Sequence, residues 1–199
     1  MAHMLNKGDY LSVLLRSAQS VFSTREIALL WRESAGATFR KRISYYVKNK
    51  KLHAVRRGIY AKGEKYEPLE LAVKIMSPSY VSFETVLGKS GVVFQSYKKI
   101  FLASYQTRDI KINGQIYSFK KVKNEILLNP VGIRNDASYS IATPERAFLD
   151  ALYLNKNYHF DNLSPLDQGK VFELLPVYQN KRMSRSVEKL FREFNREKS

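Results

Sequence analysis

Ala37–Lys62 reads ATFRKRISYYVKNKKLHAVRRGIYAK. Wrapped at 100° per residue, Thr38–Asn49 places Phe39, Ile43, Tyr46 and Val47 on one face of a helix. Lys41, Ser44, Tyr45 and Lys48 fall opposite, and Arg40 and Arg42 lie on the flanks. Such a helix buries one side in a small core and offers cations and hydroxyls on the other. Immediately after it, Leu52–Val55 and Ile59–Lys62 read as two short strands joined through Arg56-Arg57-Gly58, with Gly58 supplying the positive φ of the turn. The two arginines are then expected to project from the tip. Helix followed by basic hairpin is the output end of a winged helix-turn-helix.

The residues upstream supply the rest of such a domain. Leu11, Leu14, Leu15 and Ala18 repeat at helical spacing within a first helix over Asp9–Gln19. Ser23-Thr24-Arg25-Glu26 fits a capping box, with Ser23 as N-cap and Glu26 reaching back, and Phe22 and Ile27 form the hydrophobic staple. A second helix runs to about Glu33 and buries Ile27, Leu30 and Trp31. Ser34–Ala37, containing Gly36, turns into the basic helix. The N-terminal winged helix-turn-helix is therefore placed at residues 8–65. Residues 1–7 read as a tag remnant and leader: MAHMLNK has no apolar h-region of a signal peptide.

Charge singles out the same region. Of 199 residues, 34 are Lys or Arg and 18 Asp or Glu, a net charge of +16. Residues 1–65 hold 14 cations against 4 acids, and the other 134 residues hold 20 against 14. A polyanion is the expected partner, nucleic acid before an acidic membrane surface. There is no cysteine, which excludes a disulfide framework, a thiolate metal site and a cysteine nucleophile, and fits a cytoplasmic location. No apolar run approaches the length of a membrane span.

Residues 66–199 read as a second, α+β domain with a mostly antiparallel twisted sheet and a C-terminal helical tail. Pro68 opens a helix to about Met76, and Ser77-Pro78 ends it. Tyr80–Leu87 begins as a strand and finishes as a short helix stopped by Gly88. Val92–Gln95, Lys99–Tyr105, Glu125–Leu128 and Tyr139–Ile141 are strand candidates. Asp109–Lys123 is a hairpin around the type I′ pair Asn113-Gly114. Thr143-Pro144-Glu145 caps and opens a helix to about Leu154, and Val187, Leu190, Phe191 and Phe194 form the apolar stripe of the tail.

The candidate DNA-binding residues are Thr38, Arg40, Lys41, Arg42, Ser44, Tyr45 and Lys48 on the helix and Arg56 and Arg57 on the hairpin. Lys41, Ser44, Tyr45 and Lys48 would enter the major groove of double-stranded DNA. Arg40 or Arg42 would read guanine or clamp phosphate, and the sequence leaves these open. Arg56 and Arg57 would reach the minor groove or its flanking phosphates. With about six phosphates neutralised, affinity would fall roughly a thousandfold between 50 and 200 mM salt. Enzyme signals are weak: no phosphate-binding Gly-rich loop, no nucleophile elbow, and no metal-ligand spacing at His53 or His159. No catalytic residue, metal or cofactor is expected. The competing class is a nuclease or nucleic-acid-modifying enzyme built on Asp109 with Glu125. Asp109-Ile110-Lys111 reads better as a charged strand edge, Glu145 as a complement to its helix N-terminus, and Asp150 as a partner of Arg146 one turn back.

Five blocks carry a resemblance to a known family: Arg57-Gly58-Ile59-Tyr60, Glu67-Pro68-Leu69-Glu70-Leu71-Ala72, Pro78-Ser79-Tyr80-Val81-Ser82-Phe83-Glu84-Thr85-Val86-Leu87, Gly91-Val92-Val93-Phe94-Gln95, and Ala142-Thr143-Pro144-Glu145-Arg146-Ala147-Phe148-Leu149-Asp150. In this order, across roughly residues 8–155, they resemble the AbiEi antitoxins of bacterial abortive-infection, type IV toxin–antitoxin systems. The resemblance implies a winged helix that represses its own operon and a second domain that counters a nucleotidyltransferase-like toxin encoded alongside. It leaves direct contact with that toxin open. Copies are expected on inverted repeats of an operator, by cooperation or as a homodimer.

Overall fold

A computed structural model describes residues 9–197 other than Ala137; the tag and leader assigned to residues 1–7 lie outside the described residues. The chain is α+β with two sheets and divides into two compact units after Ile75.

The first unit runs α1 (Asp9–Arg16), β1 (Val21–Ser23), α2 (Thr24–Trp31), α3 (Ala37–Lys48), β2 (His53–Arg56), β3 (Ile59–Ala61) and α4 (Pro68–Ile75). Ser23 caps α2 as a full capping box: its Oγ accepts from the Glu26 amide, and Glu26 accepts from the Ser23 amide. Phe22 and Ile27, the staple pair, are both fully buried. At the other end Arg32 adopts the left-handed conformation, and the Glu33 amide donates to the Ala28 carbonyl at 3.0 Å. That closes the helix without a glycine and turns the chain toward α3. β1 is too short to show a sequence period; it pairs antiparallel with β3, which also pairs with β2.

Trp31 is the hub of this core. Its ring meets Tyr10, Phe39 and Tyr46 at 5.3, 5.2 and 6.1 Å between centroids, and its Nε1 donates to the Tyr10 carbonyl at 2.7 Å. Edge-on aromatic contacts of this kind add about 0.5–1.5 kcal/mol each beyond burial.

The boundary expected at Tyr66 falls ten residues later, because α4 belongs to the first unit. Glu70, buried on α4, accepts from the Ser20 amide (2.8 Å) and hydroxyl (2.5 Å), and Lys74 forms an ion pair with Glu26. Burial works against ionisation of Glu26, but the Lys74 ammonium and the Ser23 amide and hydroxyl outweigh it and hold its pKa below the ordinary value. A carboxylate with a depressed folded pKa contributes stability above its unfolded pKa and loses it as pH falls through the folded one. Glu26→Gln is therefore expected to lower Tm at pH 7, with the gap to wild type closing below about pH 4. A constant gap from pH 7 to pH 3 would refute the linkage.

The second unit holds a six-stranded sheet. Its strands are β4 (Ser79–Val81), β5 (Lys99–Ser104), β6 (Arg108–Ile112), β7 (Gln115–Lys121), β8 (Ile133–Asp136) and β9 (Tyr139–Ala142), in the order β6-β7-β5-β4-β9-β8. The sheet is mostly antiparallel, as expected, in three of its five pairings; β5 pairs with β7 and β4 with β9 in parallel. Asn113 (φ 48°) and Gly114 (φ 84°) both have positive φ, as a type I′ turn requires.

The helices are α5 (Glu84–Lys89), α6 (Asn124–Leu127), α7 (Pro144–Leu154), α8 (Gln168–Leu174) and α9 (Lys181–Glu197), with a 3₁₀ turn over Leu175–Tyr178. Two strand expectations fail. Val92–Gln95 is irregular because its backbone bonds a distant loop: the Val92 carbonyl accepts from the Asp161 and Asn162 amides, and the Phe94 amide donates to the Asp161 carboxylate. Glu125–Leu128 instead holds α6, one turn that buries Ile126 and Leu127 side by side. Gly88 does not stop α5; it lies within it.

Candidate nucleic-acid interface

The face of α3 turned from the core presents exposed cations and hydroxyls together. Phe39, Ile43 and Tyr46 are buried, and Val47 packs against the same cluster. That inward anchoring fixes which side chains point out. Thr38, Arg40, Lys41, Ser44, Tyr45 and Lys48 are all exposed, as their spacing predicts. Tyr45 is 57% exposed, unusual for a tyrosine, and its ring stands edge-on to Tyr46 at 5.6 Å. Among the described residues, Arg40, Lys41 and Lys48 form no ion pair within the chain.

Arg42 departs from its expected role. Its guanidinium lies 3.6 Å from the Tyr10 ring centroid and 5.6 Å from that of Trp31, and it is salt-bridged to Glu33. Glu33 also accepts from the Tyr10 hydroxyl at 2.8 Å. The cation is thus committed to closing the core where α1, α3 and the end of α2 meet, and it is not free for a groove.

The hairpin is tighter than expected. Arg56 ends β2 opposite Ile59, so the tip is the two-residue turn Arg57-Gly58. Gly58 has the expected positive φ, 79°. Its carbonyl accepts from the Thr24 amide at 2.8 Å and the Thr24 hydroxyl at 3.1 Å. One of the orphan donors at the start of α2 is thereby satisfied, and the tip is tied to the body of the unit. Arg56 and Arg57 remain exposed, on a short hairpin rather than a long reaching one.

One contributor escapes a reading of side-chain types alone. The N-cap of α3 is Gly36, and no side chain caps the helix. The first-turn amides of α3, beside Thr38 and Arg40, are therefore available to an anion such as a phosphate. The glycine is the only clue to this in the sequence.

In the second unit Asp150 meets Arg146 one turn back, as its spacing predicts. Arg146 and Asp150 are both fully buried and paired at 3.4 Å. The Arg146 guanidinium also donates to the carbonyls of Val131 (2.7 Å) and Ile126 (2.6 Å) and to the Tyr80 hydroxyl (3.1 Å). Asp150 accepts from the hydroxyls of Tyr80, Ser82 and Tyr178 at 3.0, 2.7 and 2.7 Å. Burial pushes both tyrosine hydroxyls well above their ordinary pKa, so they stay protonated as donors. Arg146 and Asp150 thus stitch α7 to β4, α6 and the 3₁₀ turn. Glu145, buried, accepts from the Asp167 amide at 3.3 Å, beside the start of α8.

The carboxylate of Asp109 accepts from Ser118 (2.6 Å) and Lys99 (2.9 Å), which together hold its pKa below the ordinary value. Glu125 is exposed on α6. Among the described residues no three His, Asp or Glu side chains come together as a metal site, and no helix is long and apolar enough to cross a membrane. His53 is half-buried on β2, and His159 is exposed near Asp161.

No family model and no curated protein matches the chain.

Proposed function

We propose that the first unit is a winged helix-turn-helix that binds double-stranded DNA, with α3 as its recognition helix and the β2–β3 hairpin as its wing. The carrying observation is the outward face of α3: Thr38, Arg40, Lys41, Ser44, Tyr45 and Lys48 are exposed together on a helix whose other side is locked into the core. Lys41, Ser44, Tyr45 and Lys48 enter the major groove, and the uncapped start of α3 with Thr38 and Arg40 meets the backbone beside it. Arg56 and Arg57 follow flanking phosphates; with so short a tip, phosphate contact fits them better than deep minor-groove insertion. Arg42 serves the fold.

On the resemblance to AbiEi antitoxins, the DNA is the operator of the chain's own operon, occupied as inverted repeats. The second unit then supplies the antitoxic function against a nucleotidyltransferase-like toxin in a bacterial phage-defence system. The protein works in the cytoplasm as a non-enzymatic regulator. The order of blocks from Arg57 to Asp150 supports this reading.

The wing assignment is tested by Arg56→Ala with Arg57→Ala in gel-shift titrations against the DNA upstream of the chain's own reading frame. Weaker binding is expected, with the slope of log affinity against log salt flattened by up to about 2, and an unchanged Tm. Unaltered affinity at physiological salt would remove the hairpin from the interface.

A further inference from the structure

The last helix carries a feature that the DNA-binding reading of the first unit leaves unused. On α9, Met183, Val187 and Phe191 are buried, and Leu190 and Phe194 are half-buried on the same side. Arg182, Arg185, Lys189, Arg192 and Arg196 follow at spacings of three, four, three and four residues, and every one is exposed. At 3.6 residues per turn these five cations fall within an arc of about 80°, opposite the apolar stripe, and span about 21 Å along the axis. Lys189 is 3.7 Å from the Glu193 carboxylate in an exposed pair. Glu188 flanks the stripe on the other side. The four arginines form no ion pair among the described residues.

The chemistry of the stripe narrows its ligand. The apolar side is already packed, with Val187 fully buried and Phe191 at 3% exposure, so α9 has no free greasy face to lay into a membrane. None of the exposed large apolar residues lies on α9. A protein interface normally centres on such an anchor. A rigid row of mostly arginine forks, each able to grip two phosphate oxygens, suits a regularly charged backbone.

We propose that the exposed face of α9 is a second, sequence-independent binding site for the phosphodiester backbone of a nucleic acid. It lies in the unit that carries no recognition helix and is independent of α3. A clamp of this kind adds affinity and salt dependence without adding sequence preference.

The test uses the full chain with Arg182→Gln, Arg185→Gln, Arg192→Gln and Arg196→Gln together. Binding is measured by fluorescence anisotropy from 50 to 300 mM salt, with random-sequence 30-base-pair DNA, a 30-base-pair RNA duplex and a 30-nucleotide single strand as probes. Tm is expected to stay within about 2 °C, because all four side chains are exposed. On at least one probe, affinity at 100 mM salt should fall at least tenfold, and the log–log salt slope should drop by about 3. Which probe responds identifies whether the backbone belongs to duplex DNA, duplex RNA or a single strand. Affinity within twofold and a slope change below 1 on all three probes would overturn the proposal, whether the face is merely solvated or meets an acidic protein. Lys41→Ala with Lys48→Ala, run in parallel, reports on α3 alone, so failure of one site is distinguishable from failure of the other.

Discussion

Arg146→Met is expected to destabilise the second unit by about 3–5 kcal/mol. Arg146 is fully buried, and its guanidinium satisfies two backbone carbonyls, a tyrosine hydroxyl and the Asp150 carboxylate. Methionine fills much of the volume but leaves the Val131 carbonyl without its guanidinium donor, the Ile126 carbonyl with its backbone donor from Asn129 but not the guanidinium, and Asp150 without its counter-charge. Asp150→Asn should cost a similar amount, now leaving the arginine uncompensated. Removing both charges together should cost less than the sum of the two singles, because neither ion is then stranded. Trp31, the single tryptophan, lies in the first unit. Loss of the second unit should therefore appear in far-UV circular dichroism during denaturant titration, not in tryptophan emission. A loss below 1 kcal/mol for Arg146→Met would mean that the network is not what holds α7 to the sheet.

The second large effect separates two kinds of basic residue on one helix. Arg42→Met is expected to lower the stability of the first unit by about 1–3 kcal/mol, through the lost cation–π stack on Tyr10 and the ion pair with Glu33. Trp31 fluorescence reports it directly, since the indole lies beside both. Per molecule that remains folded, Arg42→Met should leave the salt slope of DNA binding unchanged. Lys41→Ala with Lys48→Ala should do the reverse: no change in Tm, about 10- to 100-fold weaker binding at 150 mM salt, and a slope lower by up to about 2. Loss on every DNA sequence alike would mark the two lysines as phosphate clamps; loss confined to the preferred sequence would mark them as base readers. A slope drop for Arg42→Met with no change in stability would return that arginine to the interface.

These contrasts also show what can be read from local sequence. The capping box at Ser23–Glu26, the buried stripe Phe39–Ile43–Tyr46, the Asn113-Gly114 turn and the Thr143-Pro144 helix start are settled by residues within one or two turns of each other, and all are legible. Arg42 looked like its neighbours because its partners, Tyr10 and Glu33, are 32 and 9 residues away and meet it only once α1, α2 and α3 pack. Val92–Gln95 has the apolar character of a strand, but its backbone partners are Asp161 and Asn162, far along the chain. The parallel pairings of β5 with β7 and β4 with β9 are likewise set by tertiary packing rather than by hairpin turns. Glu125–Leu128 misled because a single helical turn and a short strand share the same apolar pair. On the candidate interface, the exposed face of α3 followed from its period. The anchored hairpin tip did not, because it depends on Thr24 reaching Gly58 across 34 residues.

Recognition of DNA by α3 is tested by the affinity of the full chain, at 150 mM salt, for duplex DNA taken from upstream of its own reading frame, measured against a scrambled duplex of the same composition. The preference expected for a specific regulator is at least a thousandfold, reduced to tenfold or less when Lys41, Ser44, Tyr45 and Lys48 are all replaced by alanine. Equal affinity for the two duplexes, or a preference untouched by those four substitutions, would contradict it.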